Sequence, residues 1–215
     1  MATLALGDYG RLIIKVGSSL LVDSAGHLNR VWLDTLVQDI AVLQRDGHEI
    51  LIVSSGSIAI GSNVLGINTA RARLEDLQAA AAAGQVQLVH AYQEMLGRHG
   101  ITAAQVLLTP EDTENRRRFL NARGTLARLL DRSVIPIINE NDTVATEEIR
   151  YGDNDRLAAR VAQLVMADAL ILLSDVDGFY TADPAGNPQA EHIPLVTAIT
   201  DEMQRMAGET RSDIG

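Results

Sequence analysis

The chain has 215 residues, 47% of them hydrophobic and 21% charged, which is the balance of a soluble globular protein with one sizeable core. Its formal net charge of −10 argues against non-specific binding to nucleic acid or to an anionic membrane surface, and no run of about 18 apolar residues offers a membrane span. The absence of cysteine removes disulfides, thiolate zinc sites and cysteine nucleophiles together, and residues 1–10 lack the basic and apolar stretches of a signal peptide, so a cytoplasmic protein is expected.

Leu12-Ile13-Ile14-Lys15-Val16 is a β-branched run closed by Gly17 and predicts a buried strand. Val31, Leu33, Leu36, Val37, Ile40 and Leu43 recur at helical spacing over residues 30–45, and the segment stops near Gly47. Ile50–Val53 predicts a second strand that runs into the small, polar Ser54-Ser55-Gly56-Ser57. An Ala- and Leu-rich helix is expected over 74–97, a strand over Gln105–Leu108, a helix over Arg116–Leu130 and a strand over Val134–Ile138. Asn139–Asp155 has little period and predicts a loop or hairpin; helix Arg156–Met166, strand Ala169–Leu173 and a short helix Thr200–Ala207 follow. Aromatic residues are only 3% of the chain, so the core must be aliphatic. Strands alternating with crossover helices predict one α/β domain, its mostly parallel sheet covered on both faces.

In such sheets ligands bind at the carboxyl ends of the strands. The residues expected there are Gly17-Ser18-Ser19, Ser54–Ser57, Asn139-Glu140-Asn141-Asp142 and Ser174-Asp175-Val176-Asp177-Gly178, all small or polar. Lys15 is a charge inside an apolar strand; it either snorkels from an edge strand or faces a phosphate beside Gly17, where the backbone can approach closely. Gly56 and Gly61 have the spacing of a phosphate-binding P-loop, but Ser62 and Asn63 stand where Lys and Ser/Thr are required, which excludes one. No G-x-G-x-x-G follows the first strand, so a dinucleotide site is unsupported. Asp155 is either a helix N-cap or part of a site, and the acidic loops around it suit magnesium without any diagnostic spacing. Ser174–Tyr180 lacks the closing Glu of a calcium loop and reads as turns.

The segments Ile52–Ile58, Phe119-Leu120-Asn121-Ala122-Arg123, Ile138–Asp142, Gly152-Asp153-Asn154-Asp155 and Tyr180-Thr181-Ala182-Asp183-Pro184 together resemble the amino acid kinase family, in order along the whole chain. The resemblance implies a three-layer αβα sandwich with a mostly parallel central sheet. It also implies transfer of a phosphoryl group from ATP, with Mg2+, to the γ-carboxylate of free L-glutamate, the first step towards proline. Lys15 would contact the transferring group and Asp155 would orient it. Ser55, Asp142, Asn154 and the Gly56 backbone would hold glutamate, while Lys15, Gly17, Ser174 and Asp175 would face the nucleotide. Members of the family also act on N-acetylglutamate, aspartate or uridylate; Asp142, a counter-charge for a free ammonium, favours glutamate. A non-catalytic glutamate-binding domain is the alternative of a different class. Homodimers or homotetramers and feedback by proline come with the resemblance. So does a Gly-rich nucleotide segment with a second lysine, and in some members an RNA-binding-like PUA domain. Neither is present up to Gly215, so a piece of a longer protein is the expectation.

Overall fold

A computed structural model of the protein describes residues 5–144, 154–201 and 203. Five strands, β1 (Arg11–Val16), β2 (Glu49–Ser54), β3 (Ala103–Leu108), β4 (Ile135–Glu140) and β5 (Ala169–Leu173), form one sheet in the order β3-β4-β2-β1-β5. Every pairing in it is parallel, so all five carboxyl ends lie along one edge. Helices α1 (Ser18–Leu21) and α2 (Arg30–Arg45) join β1 to β2. Helices α3 (Ser57–Leu65) and α4 (Leu74–Arg98) lead to β3, α5 (Pro110–Glu114) and α6 (Arg116–Leu130) lead to β4, and α7 (Asn154–Val165) leads to β5.

Alternation along the central strands sorts the helices into two outer layers. Ile14, Val16, Ile50, Ile52, Ile135 and Ile137 pack with Leu33, Val37 and Ile40 of α2 and with Leu88, Tyr92 and Leu96 of α4. The intervening residues Ile13, Leu51, Val53 and Ile138 pack with Leu126 and Leu130 of α6 and with Leu157, Val161 and Leu164 of α7. The architecture is therefore the three-layer αβα sandwich expected. Lys15 lies in the same alternation as Ile13 and points to the α6–α7 layer. None of the described helices is long and apolar enough to cross a membrane.

Local chemistry sets the helix ends. The Asn29 side chain accepts from the Trp32 N–H and starts α2. Gly47 lies just beyond that helix at φ +97°, a conformation that glycine adopts without a steric penalty. Three expectations are corrected. β4 continues through Asn139 and Glu140, because the sheet register outlasts the hydrophobic run: Leu107 pairs with Asn139 and Leu108 with Glu140. α7 begins at Asn154, so Asp155 sits inside the first turn and is not the cap. The Ser174–Pro184 turns lead into a short antiparallel pair, β6 (Phe179–Tyr180) with β7 (His192–Ile193), which two-residue strands hide from any periodicity. The Gly152-Asp153 pair, most of the 139–155 loop and most of the Thr200–Ala207 helix lie outside the described residues.

Candidate functional site

At the carboxyl edge of the sheet, β1 delivers Lys15 and Gly17, β2 delivers Ser54 and Ser55, β4 leads to Asp142, and the first turn of α7 supplies Asn154 and Asp155. Lys15 is only 8% exposed, and its Nζ lies 2.6 Å from Asp155 Oδ1. A buried ammonium needs such a partner. Gly17 accepts no side chain without crowding: a Cβ there would stand 3.2 Å from the Leu173 carbonyl oxygen and 3.8 Å from Lys15 Nζ. The glycine thereby keeps the backbone close to the lysine and to β5.

A second cluster lies beside this pair. The Asn154 amide donates to Ser55 Oγ at 2.7 Å, to Asn139 Oδ1 at 3.2 Å and to the Ser54 carbonyl at 3.4 Å. Asn139 donates to Gln85 Oε1 at 2.7 Å and to Ser57 Oγ at 3.3 Å. Ser57 in turn donates to the Asp142 carboxylate. Asp142 is 8% exposed, in a single 3-10 turn directly after β4. Burial first, and the neighbouring Glu140 charge second, push its carboxyl up to about 7, against a smaller downward pull from Ser57. Among the described residues no cation pairs with Asp142. The Asn154 Oδ1 and Gln85 Nε2 atoms are buried with no hydrogen-bond partner among the described residues.

The turn from β2 into α3 passes through Gly56 at φ +97°, where a Cβ would come within 3.0 Å of Val22 Cγ2. This left-handed residue turns the chain so that the first N–H groups of α3 face the same edge as Ser55. Ser174 is exposed and bonds its own turn, accepting from the Val176 N–H at 3.2 Å; its Cα stands 3.8 Å from the position of a Cβ on Gly17. Asp175 follows it, also exposed. The structure thus brings Lys15, Gly17, Asp155 and Ser174 to one side and Ser55, Gly56, Asp142 and Asn154 to the other. Ser57 and Asn139 were expected at this edge only as members of polar strand ends, without a role of their own, and Gln85 was not singled out from the sequence. Gln85 had a signal: it falls on the stripe Ala81, Leu88, Tyr92 that α4 buries, as a polar side chain where an apolar one is the rule.

The proton affinity of Asp142 has a measurable effect on stability. Its value in the folded chain lies above the ordinary 3.8, so the native state holds the proton more tightly than the unfolded chain does. Stability should therefore decline as pH rises from about 4 through about 7 and level off above that. Asp142→Asn should unfold at a higher temperature than the parent at pH 8 and at nearly the same temperature at pH 4. An equal difference at both values would exclude a buried carboxylate as the cause.

Comparison with known proteins agrees with this picture. The model of the amino acid kinase family matches residues 10–212. The glutamate 5-kinases of Brucella ovis and Brucella abortus are each 58% identical over 209 residues, covering 97% of this chain and 55% of theirs. The chain thus spans about half the length of the curated relatives it matches. The fold is shared with T. acidophilum isopentenyl phosphate kinase, solved as a product complex, with a TM-score of 0.58 at 19% identity over 84% of this chain and 76% of that one. With the family model covering nearly every residue and the αβα sandwich carrying a polar carboxyl edge, the chain belongs to the amino acid kinase family.

Proposed function

We propose that this chain is the glutamate-binding and phosphoryl-aligning part of a glutamate 5-kinase, which transfers the γ-phosphoryl group of ATP to the γ-carboxylate of L-glutamate in the cytoplasm. The observation that carries the reading is the buried Asp142 carboxyl, which no cation among the described residues pairs, on the same sheet edge as the Lys15–Asp155 pair. An α-ammonium group answers the first, and a phosphoryl group answers the second. The names of the Brucella relatives support the choice of acceptor.

In this reading a γ-carboxylate oxygen of glutamate attacks the terminal phosphorus, the bond to the bridging oxygen of ADP breaks, and γ-glutamyl phosphate forms. The attacking oxygen is already an anion, so no general base is needed. Catalysis consists of alignment and charge stabilisation. Lys15 neutralises the transferring oxygens, and Asp155 holds its Nζ in place. Ser55, Asn154, Asp142 and the start of α3 grip the amino acid end. Ser174, Asp175 and Gly17 border the nucleotide. The Mg2+ ion of this reading would be carried by the nucleotide phosphates, whose oxygens are the hard ligands it prefers.

The test is to supply the protein containing these residues with ATP, Mg2+ and glutamate and to trap the acyl phosphate with hydroxylamine. Hydroxamate should form with glutamate and not with N-acetylglutamate. Formation with the acetylated substrate alone would sink the assignment. Asp142→Ala should weaken glutamate binding by about 100-fold, with ATP binding within about threefold. Equal loss of both ligands would show that Asp142 does not face the ammonium. Because a cation binds the ionised carboxyl, glutamate affinity should rise from pH 6 to pH 8 and then level, with about half a proton released per glutamate bound at pH 7.

A further inference from the structure

The polar network behind the site contains a residue that touches neither expected substrate, and donor–acceptor arithmetic gives it a task. Asn139 Oδ1 accepts from the Glu140 backbone N–H at 2.9 Å, so its carbonyl side is fixed by the main chain. Its NH2 group must then find two acceptors. Gln85 Oε1 at 2.7 Å is the short one, and Ser57 Oγ at 3.3 Å is the other. Because Ser57 Oγ accepts there, its single proton is free for Asp142, to which it donates. On the other branch, the NH2 of Asn154, which also lies 2.7 Å from Ser55 Oγ, faces Asn139 Oδ1 and the Ser54 carbonyl, both of which only accept. Asn154 therefore cannot turn its amide around. Its Oδ1 is left buried and unpartnered among the described residues.

We propose that Gln85, from α4, is a positioning residue that locks the Asn139 amide and through it sets the polarity of the amine subsite. With this lock in place, the free polar atoms of Asn154 and Asp142 are all acceptors, Asn154 Oδ1 and the Asp142 carboxylate, which suits an ammonium group with its three donors. Gln85 reaches β4 only because α3 and α4 touch through glycines. A Cβ on Gly61 would stand 1.7 Å from the Ala80 carbonyl oxygen, and one on Gly84 would stand 1.8 Å from the Ser57 carbonyl oxygen. Gly84 immediately precedes Gln85, so the close crossing places this side chain against Asn139 and Ser57. Gln85 itself is 7% exposed. An apolar residue would fill that space, but it would leave the Asn139 NH2 one acceptor short and free to rotate.

The inference rests on the glutamate reading for its ligand, so the experiment has one arm that needs no ligand. In Gln85→Met, the side-chain amide NMR signals of Asn139 and Asn154 should lose their slow solvent exchange by about tenfold or more while the backbone amides of β1, β2 and β4 stay protected. In Gln85→Glu, which keeps an acceptor at the same place, both side-chain amides should stay protected; this variant also decides the matter if the methionine form fails to fold. Unchanged side-chain amides in Gln85→Met, or their loss in Gln85→Glu, would overturn the positioning role. In the second arm, calorimetry compares glutamate with glutarate, which lacks the ammonium. Gln85→Met should bind glutamate about tenfold more weakly and glutarate within about twofold of the parent. Equal weakening of both would overturn the role in amine selection. A parent chain that fails to prefer glutamate would instead overturn the glutamate reading, with the amide arm still judging the lock.

Discussion

Lys15→Ala should lower kcat by about 100- to 1,000-fold and leave the dissociation constant of glutamate within about threefold. The split follows from where the side chain ends. Its Nζ is paired with Asp155 at 2.6 Å beside Gly17, whereas the amino acid cluster of Ser55, Asn154 and Asp142 is built by other atoms. Charge on the transferring oxygens grows as the bond to ADP loosens, so a fixed cation helps the transition state more than either bound substrate. Lys15→Arg should recover little, because a planar guanidinium needs more room than Gly17 and the Leu173 carbonyl leave. Hydroxamate formation gives kcat, and calorimetry gives the glutamate affinity. A parent-like rate in Lys15→Ala would remove the lysine from the mechanism.

Gly84→Ala should be, with Gly61→Ala, among the most damaging methyl additions at the described glycines, costing roughly 3 kcal/mol or more. The new carbon would fall 1.8 Å from the Ser57 carbonyl oxygen and 2.6 Å from the Gly61 nitrogen, and all of those atoms are backbone. Nothing soft is available to give way, so α3 and α4 must separate. Separation moves Ser57 and Gln85 together, and glutamate affinity should fall with the melting temperature. Gly97→Ala on the same helix is the control. No atom lies within 4 Å of a Cβ there, so the change should stabilise by about 0.5–1 kcal/mol, as expected for alanine in a helix. Thermal unfolding of the two variants checks the contrast, and a milder effect at Gly84 than at Gly97 would refute the tight crossing.

Much of the framework was legible in the sequence, for identifiable reasons. Helix α2 runs over Arg30–Arg45 as the apolar spacing indicated, because one face is buried and one is wet. Central strands β1 and β2 were visible as apolar runs because both their faces are covered. The end of β4 was hidden, since Asn139 and Glu140 are polar and no period marks a strand whose last residues lie at the polar carboxyl edge. Helix α5 was hidden too; five residues are too few for a stripe, although Thr109 and Asp112 form its capping box. At the site, Lys15 stood out as a charge where an apolar residue belongs, and the structure places it on the α7 face. The link from Gln85 to Asn139 joins positions 54 residues apart, and only the sheet order and the glycine crossing bring them together.

Asn154 and Asp155 are neighbours at the start of α7, and successive residues on a helix point about 100° apart. One reaches towards β2 and Ser55, the other towards β1 and the lysine. In the proposed kinase reading, the rotational setting of a single helix therefore governs grip and alignment together, as one mechanical variable. Substitutions under the far half of α7 that twist it by a few degrees should raise KM and lower kcat in proportion. Within α7, changes to the two side chains themselves would separate those quantities.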